Sequence, residues 1–180
     1  MCIRDSCYPA GSHSLANQLR LPLDRQYDYS PEHVIMERAD WTERISRAVM
    51  RHFYDSGESV LAEFTLKSGR RADIICLSKD ERITIIEVKS SKEDFLSDQK
   101  WPEYLAWADQ FYFAVSDQFD LSLLDSYSQC GIIITDGLSV HISRPALYDK
   151  LAPQRRKHMI RRLALVAMDR ASRPVCSAEQ

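Results

Sequence analysis

No run of the 180 residues stays apolar for the roughly 20 positions that a membrane-crossing helix needs, so no bilayer-spanning segment is expected. Met1–Ala10 lacks a basic start followed by an apolar stretch, and no secretory leader is read there. The five cysteines (Cys2, Cys7, Cys76, Cys130, Cys176) are odd in number and scattered. Without a CxxC pair or a His/Cys cluster, nothing points to structural zinc, and a reduced, cytoplasmic compartment is expected. Positive charge is not in excess: a net charge of −2 argues against a protein that simply coats nucleic acid. Internal repeats and low-complexity stretches are absent. His141 has no nucleophile beside it in the sequence and is read as structural.

An apolar fraction of 44% with 28% charged residues is ordinary for a globular chain, and the length suits one domain with a real core. Residues 1–30 are polar and aperiodic and are read as an irregular extension. A single domain is expected over 31–172, with a frayed tail over 173–180. Trp41, Ile45, Ala48, Val49, His52 and Phe53 recur at helical spacing after Asp40, and Asp55-Ser56-Gly57 ends that helix. Ser91-Lys92-Glu93-Asp94 is a helix start with a reciprocal cap, and Pro102 suits the first turn of another helix. Phe111–Val115 and Cys130–Thr135 are read as buried strands, Leu121–Leu124 as a short helix, and Leu138–Ile142 as a strand after the Asp136-Gly137 turn. Pro153 opens a last helix.

The chemistry concentrates between Val60 and Ser90. Val60–Leu66, Ile74–Leu77 and Ile83–Val88 read as three successive antiparallel strands. With Lys67-Ser68-Gly69 as a three-residue loop, Leu66 faces Arg70; with Lys79-Asp80-Glu81 as another, Ser78 faces Arg82. Counting along the strands then places Glu63 opposite Asp73, and Asp73 opposite Glu87, in one row with neighbours about 4.5–5.5 Å apart at Cβ. Like charges so placed repel, and burial would drive one of them to keep a proton. A hard divalent cation, Mg²⁺ or Mn²⁺, relieves the conflict, with the backbone carbonyl of Val88 as a further oxygen ligand. Lys89, one pleat beyond Glu87, can orient a water or offset charge on an attacked phosphate. The plainer alternative is a set of salt bridges in which Lys89 and Arg71 neutralise Glu87 and Asp73. Its weakness is that a helix should cover this face, where unmatched carboxylates are costly.

Asp73 followed by Glu87-Val88-Lys89 at the end of the next strand resembles the metal-binding signature of the PD-(D/E)XK nuclease superfamily, with Ala72 in place of its proline. A longer ordered set is similar to the MmcB-like DNA-repair proteins over roughly Trp41 to Arg170: Glu63-Phe64-Thr65-Leu66, Gly69-Arg70-Arg71-Ala72-Asp73, Ile85-Ile86-Glu87-Val88-Lys89-Ser90-Ser91, Lys100-Trp101-Pro102-Glu103-Tyr104 and Phe111-Tyr112-Phe113-Ala114-Val115. The resemblance implies an α/β fold with a restriction-endonuclease-like core, a mixed central β-sheet flanked by α-helices. It also implies a role in DNA repair, with Gln99, Lys100 and Tyr104 as auxiliary residues behind the metal site and Glu43 as a possible further acid.

The expectation is therefore a metal-dependent DNA nuclease of repair, with Glu63, Asp73, Glu87 and Lys89 carrying catalysis. DNA is the expected partner, together with other repair proteins or a second copy of the chain. Arg47, Arg70, Arg71, Arg155 and Arg156 are candidate contacts to phosphates. The alternative is a DNA-binding or scaffold subunit that keeps the fold without turnover.

Overall fold

The computed structural model describes residues 38–98 and 100–177; the extension expected over residues 1–30 lies outside them. Helix α1 (Arg38–Asp55) places Asp40 in its first turn, where a carboxylate complements the helix dipole. It buries Ile45, Ala48, Val49 and Phe53, the stripe read from the sequence. Gly57, at φ +86°, then turns the chain back, and the Glu58 N–H donates to the Phe53 carbonyl at 3.0 Å.

Strands β1 (Ser59–Thr65), β2 (Arg71–Leu77) and β3 (Ile83–Lys89) follow as two hairpins. The Leu66 N–H donates to Arg70 O at 2.7 Å, and the Ser78 N–H donates to Arg82 O at 3.0 Å, so both three-residue loops close as expected. Gly69 (φ +85°) takes the left-handed position of the first loop, and Glu81 (φ +65°) takes the equivalent position of the second.

Helix α2 (Lys92–Ser97) starts at Ser91, whose Oγ accepts the Asp94 N–H at 3.2 Å. The one-turn helix α3 (Pro102–Leu105) carries its proline in the first turn. Then come β4 (Gln110–Ser116), a single 3₁₀ turn (Leu121–Leu124), β5 (Gly131–Thr135), β6 (Val140–Arg144) and α4 (Pro153–Ser177). Strand β6 begins two residues later than the sequence suggests. The Asp136 carboxylate accepts the Leu138 and Ser139 N–H groups and keeps both residues in the turn. Helix α4 runs past Arg170 to Ser177, so residues 173–177 are helical where a frayed tail was expected.

The six strands form one sheet in chain order. β1–β2–β3 are antiparallel, β3–β4–β5 parallel and β5–β6 antiparallel. This is the mixed α/β sheet expected of a restriction-endonuclease-like core. Its front face carries Ile75, Ile83, Ile85, Phe111, Phe113 and Val115 against Phe95 of α2, Tyr104 of α3, and Met159 and Leu163 of α4. The rear face packs Ile74, Cys76, Ile86, Val88 and Ala114 on α1. Gly131 admits no side chain, since a Cβ there would lie 2.2 Å from the Tyr112 ring. No helix among the described residues is long and apolar enough to cross a membrane.

One buried carboxylate fastens these layers. Asp109 accepts the Ile83 N–H at 2.7 Å, the Leu151 N–H at 2.9 Å and the Arg156 guanidinium at 2.5 Å. Burial pushes its acid upward, but Arg156 and the two N–H groups outweigh that and hold it below the usual range.

Candidate active site

Asp73 and Glu87 meet on the front face at the end of the β2–β3 ladder. The pairs Ile75↔Ile85 and Ile74↔Ile86 extend by one step to Asp73 opposite Glu87, as the count from the loop predicts. Side chains take over from the ladder there. The Val88 N–H donates to Asp73 Oδ2 at 2.9 Å, and the Asp73 N–H donates to Glu87 Oε1 at 3.3 Å. Within a strand, the N–H and C=O of one residue point to the same side, so the Val88 carbonyl opens on this gap too.

Glu87 is only 4% exposed and Lys89 only 5%, unusual for either residue type without a partner. Burial, reinforced by the Asp73 charge, pushes the Glu87 carboxyl up to about 8. Asp73 is raised as well, chiefly by burial, against the pull of the Val88 N–H and the Lys89 charge. Both acids therefore hold a proton more readily than a free carboxyl does, Glu87 the more strongly.

Lys89 points to the same side and donates from Nζ to Asp98 Oδ2 at 2.7 Å. Burial works to lower its pKa, but the Asp98 bond and nearby acids outweigh it and hold the ammonium charged. Asp98 closes α2, and its Oδ1 accepts the Lys100 N–H at 2.9 Å. Its carboxyl stays below the usual range because Lys89 and backbone N–H groups overcome the burial penalty. Sequence reasoning missed Asp98; an aspartate between two short helices has no local mark that assigns it to Lys89.

The expected third acid is not delivered. Leu61 and Phe64 both enter the front core although they are three residues apart, so the alternation of β1 breaks between them. The break is Glu63, whose φ is +49°. Its side chain is 66% exposed and its nearest cation is Arg71, at 3.9 Å. The count through β1 is right, but the side chain leaves the row. Among the described residues no three His, Cys, Asp or Glu side chains converge as metal ligands.

The auxiliary positions divide. Gln99 lies outside the described residues. Lys100 is exposed, and its backbone rather than its ammonium bonds Asp98. Tyr104 is buried beside the acids, stacks on Phe111 and donates its hydroxyl to the Arg71 carbonyl at 2.9 Å. Burial and the Glu87 and Asp73 charges drive its phenol strongly upward, so it remains a donor.

Most of the expected phosphate-binding arginines have other partners. Arg47 lies on α1, behind the sheet, and pairs with Glu43 one turn away; neither residue is at the acid pair. Arg156 is locked to Asp109, and Arg155 stacks over Trp107 while bonding the Ala106 carbonyl at 2.8 Å. Arg70 forms a two-pronged bond to Glu103 at 2.9 and 2.8 Å. Arg71 alone combines exposure with proximity, its charge reaching Asp73.

A buried carboxylate (Glu87), a half-buried one (Asp73), a backbone carbonyl and the Tyr104 hydroxyl bring oxygen atoms together beside a fixed ammonium. Mg²⁺ suits such a set, since it takes one or two carboxylates and keeps waters or substrate oxygens for the rest. The upward shift of both acids marks the place where a cation would relieve repulsion.

A family model described as DNA repair protein MmcB-like matches residues 32–178. A search of curated proteins finds no match. Among solved structures, the chain is similar to a protein of unknown function from Silicibacter pomeroyi, with 37% identity and a TM-score of 0.69 over 73% of this chain and 89% of that one. With the match spanning the whole described fold and its acid pair, the chain belongs to the MmcB-like DNA repair protein family.

Proposed function

We propose that this chain is a metal-dependent DNA nuclease of the PD-(D/E)XK kind, acting in repair. The observation that carries the reading is the buried Glu87 beside the half-buried Asp73, with Lys89 one pleat away on the same side. A fold gains nothing by withdrawing one acid from water beside a second of like charge unless something positive visits them. Asp73, Glu87 and the Val88 carbonyl would hold Mg²⁺ or Mn²⁺. When bound, such an ion supplies Lewis-acid chemistry, drawing negative charge off a phosphate oxygen.

The chain's own groups do the rest. Lys89 presents an ammonium that stabilises the extra charge of an attacked phosphodiester. Asp98 fixes that ammonium, and Tyr104 walls the acids from bulk water. Arg71 is placed to meet the incoming DNA backbone.

A second reading, a DNA-binding subunit without turnover, draws on one observation: Glu63 leaves the acid row, so two carboxylates remain where three were expected. Incubating the full chain with duplex, single-stranded and flapped DNA plus Mg²⁺ or Mn²⁺, beside Asp73→Ala and Lys89→Ala, separates the two. Metal-dependent cleavage abolished in both variants supports the nuclease. DNA binding without cleavage by any form supports the subunit.

A further inference from the structure

The parallel strands β3 and β4 end side by side, and just beyond Lys89 a crevice of about 330 Å³ opens between their carboxyl ends. Trp41 of α1 and Phe119 give it aromatic surface; Ser90, Ser91, Ser116, Gln118 and Lys92 contribute polar groups, and Asp120 adds a carboxylate that accepts from the Ser122 N–H and hydroxyl. The side chains of Ser90, Ser116 and Gln118 have no hydrogen-bond partner among the described residues. Arg44 lies over the Trp41 ring at 5.4 Å from its centroid, which steadies the indole.

We propose that this crevice receives one unpaired base of single-stranded DNA, from a nucleotide next to the scissile phosphate. The proposal rests on the nuclease reading and deepens it by naming the substrate class. Three observations converge. The volume lies at the low end of small-molecule sites and has room for one base with its sugar. The lining joins aromatic surface for stacking to uncommitted donors and acceptors for a base edge, the combination single-strand binders use. The crevice begins at Ser90, the residue that follows Lys89, so it opens at the end of the strand that carries Glu87 and Lys89. In a duplex that base is paired and stacked, and it would have to leave the helix to enter.

The near-complete burial of Glu87 and Lys89 points the same way. A rigid duplex presents its phosphates on a broad cylinder, whereas a single strand can thread into a narrow cleft. Lys92 is exposed at the rim, where its charge offsets that of Asp120.

The test uses the full chain with Ca²⁺ in place of Mg²⁺, so that binding is read apart from cleavage. Affinities are measured for a fluorescent single-stranded oligonucleotide, the fully paired duplex and the duplex with a single-stranded overhang. Expected are preference for the single strand and the overhang, and a loss on the order of tenfold for Trp41→Ala, as base stacking implies. Gln118→Ala, at an exposed position that folding does not need, should weaken single-strand binding severalfold and leave duplex binding unchanged. Equal affinity for duplex and single strand, or both variants within twofold of wild type on single strands, overturns the proposal. A protein that binds single strands through Trp41 and Gln118 but never cleaves them with Mg²⁺ refutes the nuclease reading and leaves the crevice standing. Cleavage of duplex and single strand alike, with neither variant affected, does the reverse.

Discussion

Lys89 and Asp98 form an ion pair at 2.7 Å with side chains only 7% and 18% exposed. Removing one member leaves the other charged and withdrawn from water, which for buried pairs costs about 3–5 kcal/mol. Asp98→Ala should lose stability of that order in urea denaturation. Adding Lys89→Met should recover a large part of the loss, because the stranded ammonium is gone. Equal instability of the single and double variants would argue that Asp98 matters only as the end of α2. With cleavage as the readout, Asp98→Asn should lower kcat far more than it raises KM.

The acid pair sets a pH dependence whose sign follows from Glu87. Its folded pKa of about 8 lies above its unfolded value, so its contribution to stability is complete below the unfolded pKa and lost as pH rises through about 8. In chelator, the melting temperature should fall across that window, by the equivalent of a few kcal/mol at most. Glu87→Gln should flatten the slope. An unchanged slope would place Glu87 in a more solvated setting than the fold gives it.

A cation that binds only the folded chain stabilises it by mass action. Mg²⁺ or Mn²⁺ should therefore raise the melting temperature more at pH 8 than at pH 6, where protons compete for the carboxylates. Asp73→Asn and Glu87→Gln should each remove the effect, measured by calorimetry with and without EDTA.

Glu63 should behave differently. Glu63→Ala is expected to keep both the metal-induced shift and any cleavage, since its side chain is outside the pair. Glu63→Gly should stabilise the fold by about 0.5–1 kcal/mol, because glycine tolerates φ +49° without the penalty of a Cβ. Loss of the metal response in Glu63→Ala would return this residue to the ligand set.

Arg156 offers a test of the basic helix. Its partner Asp109 has a fully buried side chain and ties β3 to α4, so Arg156→Ala should cost about 3 kcal/mol or more. The salt dependence of DNA binding should not change. Arg71→Ala should do the opposite: stability near wild type, with a shallower dependence of affinity on salt.

How much of this is legible in the sequence depends on how local the signal is. The meeting of Asp73 and Glu87 follows from two short loops and the two-residue period of a strand, and both loops close as counted. Ser91 and Pro102 mark helix starts by chemistry that acts within one turn. Glu63 fails because the same counting runs through a residue at positive φ, a conformation no glutamate advertises. The arginines fail for a related reason. Sequence displays their charge but not their partners, and Asp109 sits 47 positions from Arg156. Asp98 is hidden likewise, since the helix that carries it to Lys89 is placed by Phe95 packing under the aromatic core.

The far side of β1 is a bare rim, the kind of border on which a neighbouring molecule can lay down another strand. The chain obstructs this twice. The kink at Glu63 interrupts the straight line of acceptors, and α4 reaches over so that Arg162 bonds the Thr65 carbonyl at 2.8 Å while Arg170 bonds those of Ala62 and Glu63 at 2.6 and 2.8 Å. Helix α4 therefore occupies acceptors that an added strand would need. A chain cut short before Arg162 should form thioflavin-positive aggregates on gentle warming more readily than the full chain.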